Sequence, residues 1–358
     1  MPEISVRGHE MPSSPIRKLS PLANDAKARG VKVYHLNIGQ PDLPTPQKAL
    51  DSLKTVDRSV LEYSPSPGFQ SLREKLAKYY QKFNIDLSAD EVIVTSGGSE
   101  AVLFAFLACL NPGDEIIIPE PAYANYMAFA ISAGAVIKTV TSTIETGFAL
   151  PPVEEFEALI TPRTKAILIC NPNNPTGYLY TRAEMNRIRD MVKKYDLYLF
   201  SDEVYREFIY TGSPYISACH LEGIEQNVVL IDSVSKRYSE CGIRIGSLVT
   251  KNPQVRDAVM KLCQARLSPP LLGQIVAEAS IEGTEDYAAE MYEEYVERRK
   301  CLVDGFNRMP GVYSPIPMGA FYTVARLPVD DAEKFCAWCL SDFNYEGETV
   351  MMAPANGF

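Results

Sequence analysis

Along this chain, short apolar runs alternate with longer stretches in which apolar residues return every three or four positions. The apolar runs are EVIVTS (91–96), DEIIIP (114–119), AVIKTV (135–140), KAILIC (165–170), LYLFSD (197–202), NVVLID (227–232) and RIGSLVT (244–250). Most are strand-length and rich in Val and Ile, as buried strands are. Helical periodicity falls between most of them, over Glu100–Leu110, Tyr123–Ser132, Val153–Ile160 and Arg182–Lys194. Strands alternating with helices predict crossover connections and a mostly parallel central sheet with helices on both faces. RIGSLVT follows NVVLID after too short a gap for a helical crossover, which makes it a candidate antiparallel member.

The two ends read differently. Residues 1–40 mix Pro, Ser and charge, then reach a short apolar stretch, VYHLNIG. Residues 252–308 read as helical and charged, with one long helix expected over Glu282–Lys300. After Pro310, a strand GAFYTVARL (319–327), a helix Asp330–Leu340 and a second apolar run, ETVMMAP, suggest a small α+β unit. The expected architecture is α/β. A large domain covers 41–290, and a smaller α+β domain is assembled from 1–40 and 291–358.

Composition narrows the function classes. A formal charge of −10 over 358 residues argues against general binding to nucleic acid or anionic membranes, since either needs a basic face. The apolar stretches, such as Ala101–Leu110, are too short to span a bilayer, and no apolar run near the start suits a signal peptide. A cytoplasmic location is expected. Eight cysteines fit reduced, mostly buried thiols. Cys336 and Cys339 have CxxC spacing within an amphipathic helix, where core packing is the more economical reading than redox or metal work. Three scattered histidines suggest no metal site.

In an open α/β sheet, ligands bind beyond the carboxyl ends of the strands. There this sequence carries SGGS, PEPAY, NPNNPTG, SDEVY and SVSK. With LNIGQPD, YSPSPG, GIRIG and GAFY, these motifs closely resemble the class I aminotransferases of fold type I, the aspartate aminotransferase superfamily. They occur in the family's order over roughly residues 36–322. The resemblance implies pyridoxal 5'-phosphate as cofactor, an amino acid and a 2-oxo acid as small-molecule partners, and a homodimer with a shared active site. Aspartate is the first choice of donor. Aromatic or kynurenine-type transamination and β-elimination at a C–S bond are the alternatives.

The resemblance also assigns roles, each with its own chemical sense. Lys236, in SVSKRYSECGIRIG, is the lysine that holds the cofactor as a Schiff base and then serves as general base and acid. Arg244, Ser233 and Ser235 belong to the phosphate side, where a guanidinium offers bidentate donors. Gly98, Ser99 and Glu100 open a helix whose backbone N–H groups suit a phosphate, although Ser and Gly are common in plain capping turns too. Asp202 is expected on the pyridine nitrogen, and Asn174 with Tyr205 on the ring's 3-oxygen. Tyr123 resembles the ring that stacks on the cofactor, while Tyr126 is expected to be packing. Tyr63 resembles the tyrosine that reaches the neighbouring subunit's phosphate. Gly39 and Asn174 line the substrate side. The family anchors the substrate α-carboxylate on an arginine near its C-terminus. The last arginine here is Arg326, so the natural chain is expected to run further.

Overall fold

The computed structural model describes residues 2–212, 214–282 and 285–358, without the side chains of 285, 286 and 288. Among the described residues, nine strands form two sheets. In chain order they are β1 (Lys32–His35), β2 (Val92–Thr95), β3 (Glu115–Glu120), β4 (Val136–Thr141), β5 (Thr164–Cys170), β6 (Tyr198–Asp202), β7 (Val228–Ser233), β8 (Gly246–Val249) and β9 (Glu348–Met351). The seven-stranded sheet runs β2-β8-β7-β6-β5-β3-β4. Strands β3 to β7 pair in parallel. Strand β8 is antiparallel to both β7 and β2, so RIGSLVT is indeed the reversed member.

Alternating side chains of these strands feed two different cores, as a pleated strand with both faces covered must do. Ile116, Ile118, Leu168 and Phe200 pack with helices Gly98–Cys109, Asn125–Ala133 and Pro253–Arg266. Ile117, Ile167, Ile169 and Leu199 pack with helix Arg182–Tyr195 on the other face. That helix starts at Thr181, whose side chain accepts from the Glu184 N–H while Glu184 reaches back to the Thr181 N–H. Two orphan donors are satisfied reciprocally, which fixes the start of the helix. Helix Gln70–Gln81 covers β2 and β7 through Leu72, Leu76 and Tyr80.

The N-terminal stretch is more regular than its composition suggests. Val6–Glu10 and Ser20–Ala28 are helical, and β1 pairs in parallel with β9. Leu19 and Ala23 pack there with Cys336, Leu340 and Met351. Both cysteines of the CxxC pair are buried and free, in helix Ala332–Ser341. The long charged helix spans Glu285–Asn307, and residues 283 and 284 of the expected segment lie outside the described residues. The expected strand over 319–327 is not one. Ala320 takes a left-handed φ of 54°, which no regular strand accommodates. Only isolated bridges survive, Ile209 with Gly319 and Tyr313 with Arg326. Among the described residues, no helix is long and apolar enough to cross a membrane.

Candidate active site

The carboxyl ends of β2, β5, β6 and β7 open on one cleft, and Lys236 stands in it. Strand β7 leads into a short helix, Val234–Arg237, capped by Ser233. The half-buried Lys236 Nζ donates to the Gly39 carbonyl at 2.6 Å and lies 3.8 Å from Cys241 Sγ. Burial holds its ammonium below the ordinary lysine range, with the Arg244 charge acting in the same direction. Gly39 comes close because it has no side chain. A Cβ there would sit 1.7 Å from the Tyr322 hydroxyl.

One side of the cleft is built for an anion. Gly97, at φ 82°, turns β2 into helix Gly98–Cys109. The N–H groups of Gly98, Ser99 and Glu100 lie in the first turn, where no intrahelical carbonyl can take them. The Glu100 side chain turns back to the Ser96 N–H and pairs with Arg266, so only its amide belongs to this surface. The exposed Arg244 donates to the Cys241 carbonyl at 2.9 Å and approaches the Ser96 carbonyl at 3.4 Å. A Cβ on Gly97 would meet its guanidinium at 2.3 Å. Ser233 Oγ accepts the Ser235 N–H and lies 2.7 Å from Ser235 Oγ and 2.9 Å from the Ile245 carbonyl. Its hydroxyl is therefore engaged in holding the loop.

The other side carries Asp202, at the end of β6. It is buried, accepting from Tyr126 at 2.7 Å and from the Val204 N–H at 3.3 Å. Burial raises its carboxyl from the ordinary 3.8 to about 6, against those two hydrogen bonds and with help from the nearby Asp232 and Glu203 charges. Asn174 Nδ2 donates to the Tyr205 hydroxyl at 3.4 Å, and that hydroxyl lies 2.7 Å from the Tyr322 hydroxyl. The NPNNPTG loop is clasped from outside, because Met318 and Gly319 both donate to the Gly177 carbonyl at 2.9 Å. Tyr123 is half-buried, edge-on to Tyr126 at 5.4 Å, with its hydroxyl bonded to Asn125.

Lys236, Gly39, Asp202, Asn174, Tyr205, Tyr123, Arg244 and the Gly98 turn are thus gathered around one cleft. Tyr63 makes no contact with them and is 75% exposed. Sequence reading missed two residues. Tyr126 is not mere packing, since its hydroxyl holds Asp202, and its place three residues after Tyr123, at the start of helix Asn125–Ala133, was the available signal. Tyr322 ends the GAFY motif and links Tyr205 to the Gly39 side of the cleft. Among the described residues, no cluster of His, Cys, Asp and Glu is arranged to hold a metal ion.

A site of this kind, a lysine between a helix-borne anion cradle and a buried carboxylate, defines a class, and the family comparison gives the same class. The profile of aminotransferase class I and II matches residues 31–345, and the chain belongs to that family. It is similar to the aspartate aminotransferase of Thermotoga maritima, 32% identical over 357 residues, covering 99% of this chain and 92% of that protein. It is also similar to aromatic-amino-acid aminotransferase 2 of Thermococcus litoralis, 32% identical over 320 residues, covering 88% and 80%. Among solved structures, the aspartate aminotransferase of Thermus thermophilus with maleate superposes with a TM-score of 0.91 at 28% identity, covering all of this chain and 92% of that one. The chain is an aminotransferase of a family that uses pyridoxal phosphate.

Proposed function

We propose that this chain binds pyridoxal 5'-phosphate at Lys236 and moves the amino group of a dicarboxylic amino acid, aspartate first, to a 2-oxo acid such as 2-oxoglutarate. The supporting observation is the pairing of a half-buried lysine with a buried carboxylate that has no cationic partner among the described residues. Several similar proteins are named aspartate aminotransferases, which favours aspartate over the aromatic reading.

The residues fit the cofactor. The Gly98, Ser99 and Glu100 amides and Arg244 suit its phosphate, with Ser235 beside them. Asp202 suits a protonated ring nitrogen, and Tyr205 with Asn174 suits the ring's 3-oxygen. When bound, the cofactor supplies an electron sink that acidifies the substrate α-carbon. The chain's own part is to position groups and move protons. Lys236 Nζ, whose neutral form is favoured by burial, is the base for the α-proton. Asp202 holds negative charge in a site with little water to screen it. Tyr126 keeps that carboxylate oriented. Tyr322 and Tyr205 wall the side nearest Gly39. The working unit in this reading is a homodimer, with the exposed Tyr63 directed to the partner's phosphate side.

The visible spectrum of the purified protein with pyridoxal phosphate tests this reading. Aspartate should convert the bound-cofactor band to that of the aminated cofactor, 2-oxoglutarate should restore it, and Lys236→Ala should abolish the cycle. A band that answers only aromatic amino acids overturns the aspartate reading. Pyruvate and ammonia released without a 2-oxo acid acceptor overturn transamination as the main reaction.

A further inference from the structure

Tyr322 belongs to none of the strands that build the cleft, yet its hydroxyl ends inside it. The loop that carries it is fixed from two sides. The Ala320 N–H donates to the Phe208 carbonyl at 2.9 Å, and the Tyr210 hydroxyl donates to the Ala320 carbonyl at 2.6 Å. On the other side lies the NPNNPTG loop, where a Cβ on Gly177 would meet the Tyr322 carbonyl at 2.9 Å. The Tyr322 ring stands edge-on to Tyr205, with centroids 5.3 Å apart at 85°. Its hydroxyl fills the space that a Cβ on Gly39 would need, and the Gly39 carbonyl takes the Lys236 ammonium. Backbone and packing therefore aim this hydroxyl, and the hydroxyl itself is not needed to hold the loop.

The protons of this cluster outnumber its acceptors. Among the described residues, the Tyr322 hydroxyl has one hydrogen-bond partner, the Tyr205 hydroxyl at 2.7 Å. The Tyr205 oxygen also accepts from Asn174 Nδ2, at a long 3.4 Å. A phenol donates one hydrogen bond, and the amide nitrogen can only donate. If Tyr205 gave its proton to Tyr322, the Tyr322 proton would have no acceptor. If Tyr322 gives its proton to Tyr205, the Tyr205 proton is left free. Either way one donor is satisfied only by an oxygen from outside. Burial pushes both phenols above their ordinary range, so neither gives this proton up to solution. An oxyanion beside Tyr205 decides between the two arrangements, because only the second can serve it. A phenol that accepts two hydrogen bonds is also the stronger donor.

We infer that Tyr322 is a positioning residue, whose hydroxyl donates to Tyr205 and so turns and strengthens the Tyr205 proton toward the 3-oxygen of the cofactor ring. This rests on the cofactor reading above and adds to it a residue that does not touch the ring's oxygen. The nitrogen of Lys236, once joined to the cofactor, shares its proton with that same oxygen. A weaker Tyr205 bond leaves the oxygen more basic, and the shared proton is then held to higher pH. The other titratable groups around the pair are Cys170, Tyr123 and Asp202, with Cys241 and Arg244 beside Lys236. The variants below leave all five in place.

The test follows the visible band of bound pyridoxal phosphate against pH in the parent holoenzyme, Tyr322→Phe, Tyr205→Phe and the double variant. Tyr205→Phe should raise the midpoint of the band's change by about 1 to 2 pH units, the worth of one hydrogen bond to a charged oxygen. Tyr322→Phe should raise it by about 0.3 to 0.5 unit, the share that one upstream bond adds to a hydrogen-bonded chain. The double variant should match Tyr205→Phe alone, because Tyr322 acts through Tyr205. Phe keeps the ring packing, so the melting temperature of Tyr322→Phe should stay within about 3 °C of the parent. A midpoint that Tyr322→Phe leaves unmoved overturns the inference. A lowered midpoint overturns it as well, since Tyr322 would then draw the Tyr205 proton away from the ring. Shifts that add in full in the double variant also overturn it, because Tyr322 would act on its own. In each of these cases a raised midpoint in Tyr205→Phe leaves the cofactor reading standing. No shift in Tyr205→Phe, or no band in the parent, overturns that reading and the inference with it.

Discussion

Asp202 and Asp232 lie at the carboxyl ends of neighbouring parallel strands, both buried, and they are held in opposite ways. Asp232 accepts from Tyr80 at 2.7 Å, from the Ser233 N–H at 2.7 Å and from Arg206 at 3.2 Å, and it pairs closely with Arg237. The two guanidinium charges hold its carboxyl below the ordinary range in spite of burial. Asp202 has a tyrosine and one backbone N–H, with no arginine. Its carboxyl is pushed up to about 6. The strand pleat separates the two environments. Glu203 follows Asp202 and points the other way, sharing Arg206 with Asp232. The difference separates a carboxylate balanced by the protein's own arginines from one with no cationic partner among the described residues.

Removing the poised carboxylate should cost activity far more than stability. Asp202→Ala is expected to lower kcat about 10³-fold, about 4 kcal/mol of lost transition-state stabilisation. The protein should stay folded, since no buried cation is orphaned. Steady-state kinetics beside a melting curve checks this, and turnover within ten-fold of the parent would break the contrast between the two residues.

Removing the architectural carboxylate should do the reverse. Asp232→Asn leaves Arg206 and Arg237 buried with too little negative charge, a change that typically costs about 3–5 kcal/mol. The melting temperature should drop by roughly 10 °C. The kcat of the protein that remains folded should stay within a few-fold of the parent. A variant as stable as the parent would mean that Glu203 alone balances both arginines.

Much of this contrast was hidden in the sequence while the frame around it was not. The seven strands of the large sheet were legible because Val- and Ile-rich runs end in turn residues, and strand-end motifs marked the cleft because parallel sheets direct their loops there. Asp202 could be singled out by its place in SDEVY. Asp232 could not, since its partners Tyr80, Arg206 and Arg237 come from a distant helix, a loop and the next turn, and nothing in a linear pattern joins them. The same blindness explains Tyr126, whose ring packs as expected while its hydroxyl serves Asp202. GAFYTVARL has a strand's composition, but Ala320 and the clasp on the NPNNPTG loop impose an irregular path that local propensity does not encode.

The smallest expected effect comes from Tyr126 and reads the state of Asp202 directly. In the cofactor-free protein, Asp202 holds its proton up to about pH 6, whereas in the unfolded chain it loses it near 3.8. Between those values the folded state binds more protons. Its stability contribution is therefore greatest at the acid side of the window and falls as pH rises through it, by on the order of 3 kcal/mol in total. Above about pH 6 the contribution is flat. The Tyr126 hydroxyl favours the ionised carboxylate, so Tyr126→Phe should raise the Asp202 pKa and extend the falling limb upward. The cost above the window should be about 2 kcal/mol, one hydrogen bond to a charged group. Melting temperatures of the cofactor-free parent, Tyr126→Phe and Asp202→Asn across pH 4–8 separate the terms. Asp202→Asn should remove this limb, and Tyr126→Phe should shift it. If the limb persists unchanged in Asp202→Asn, the titrating group is another buried acid, and Glu240, raised by burial to about 8, is the first to examine.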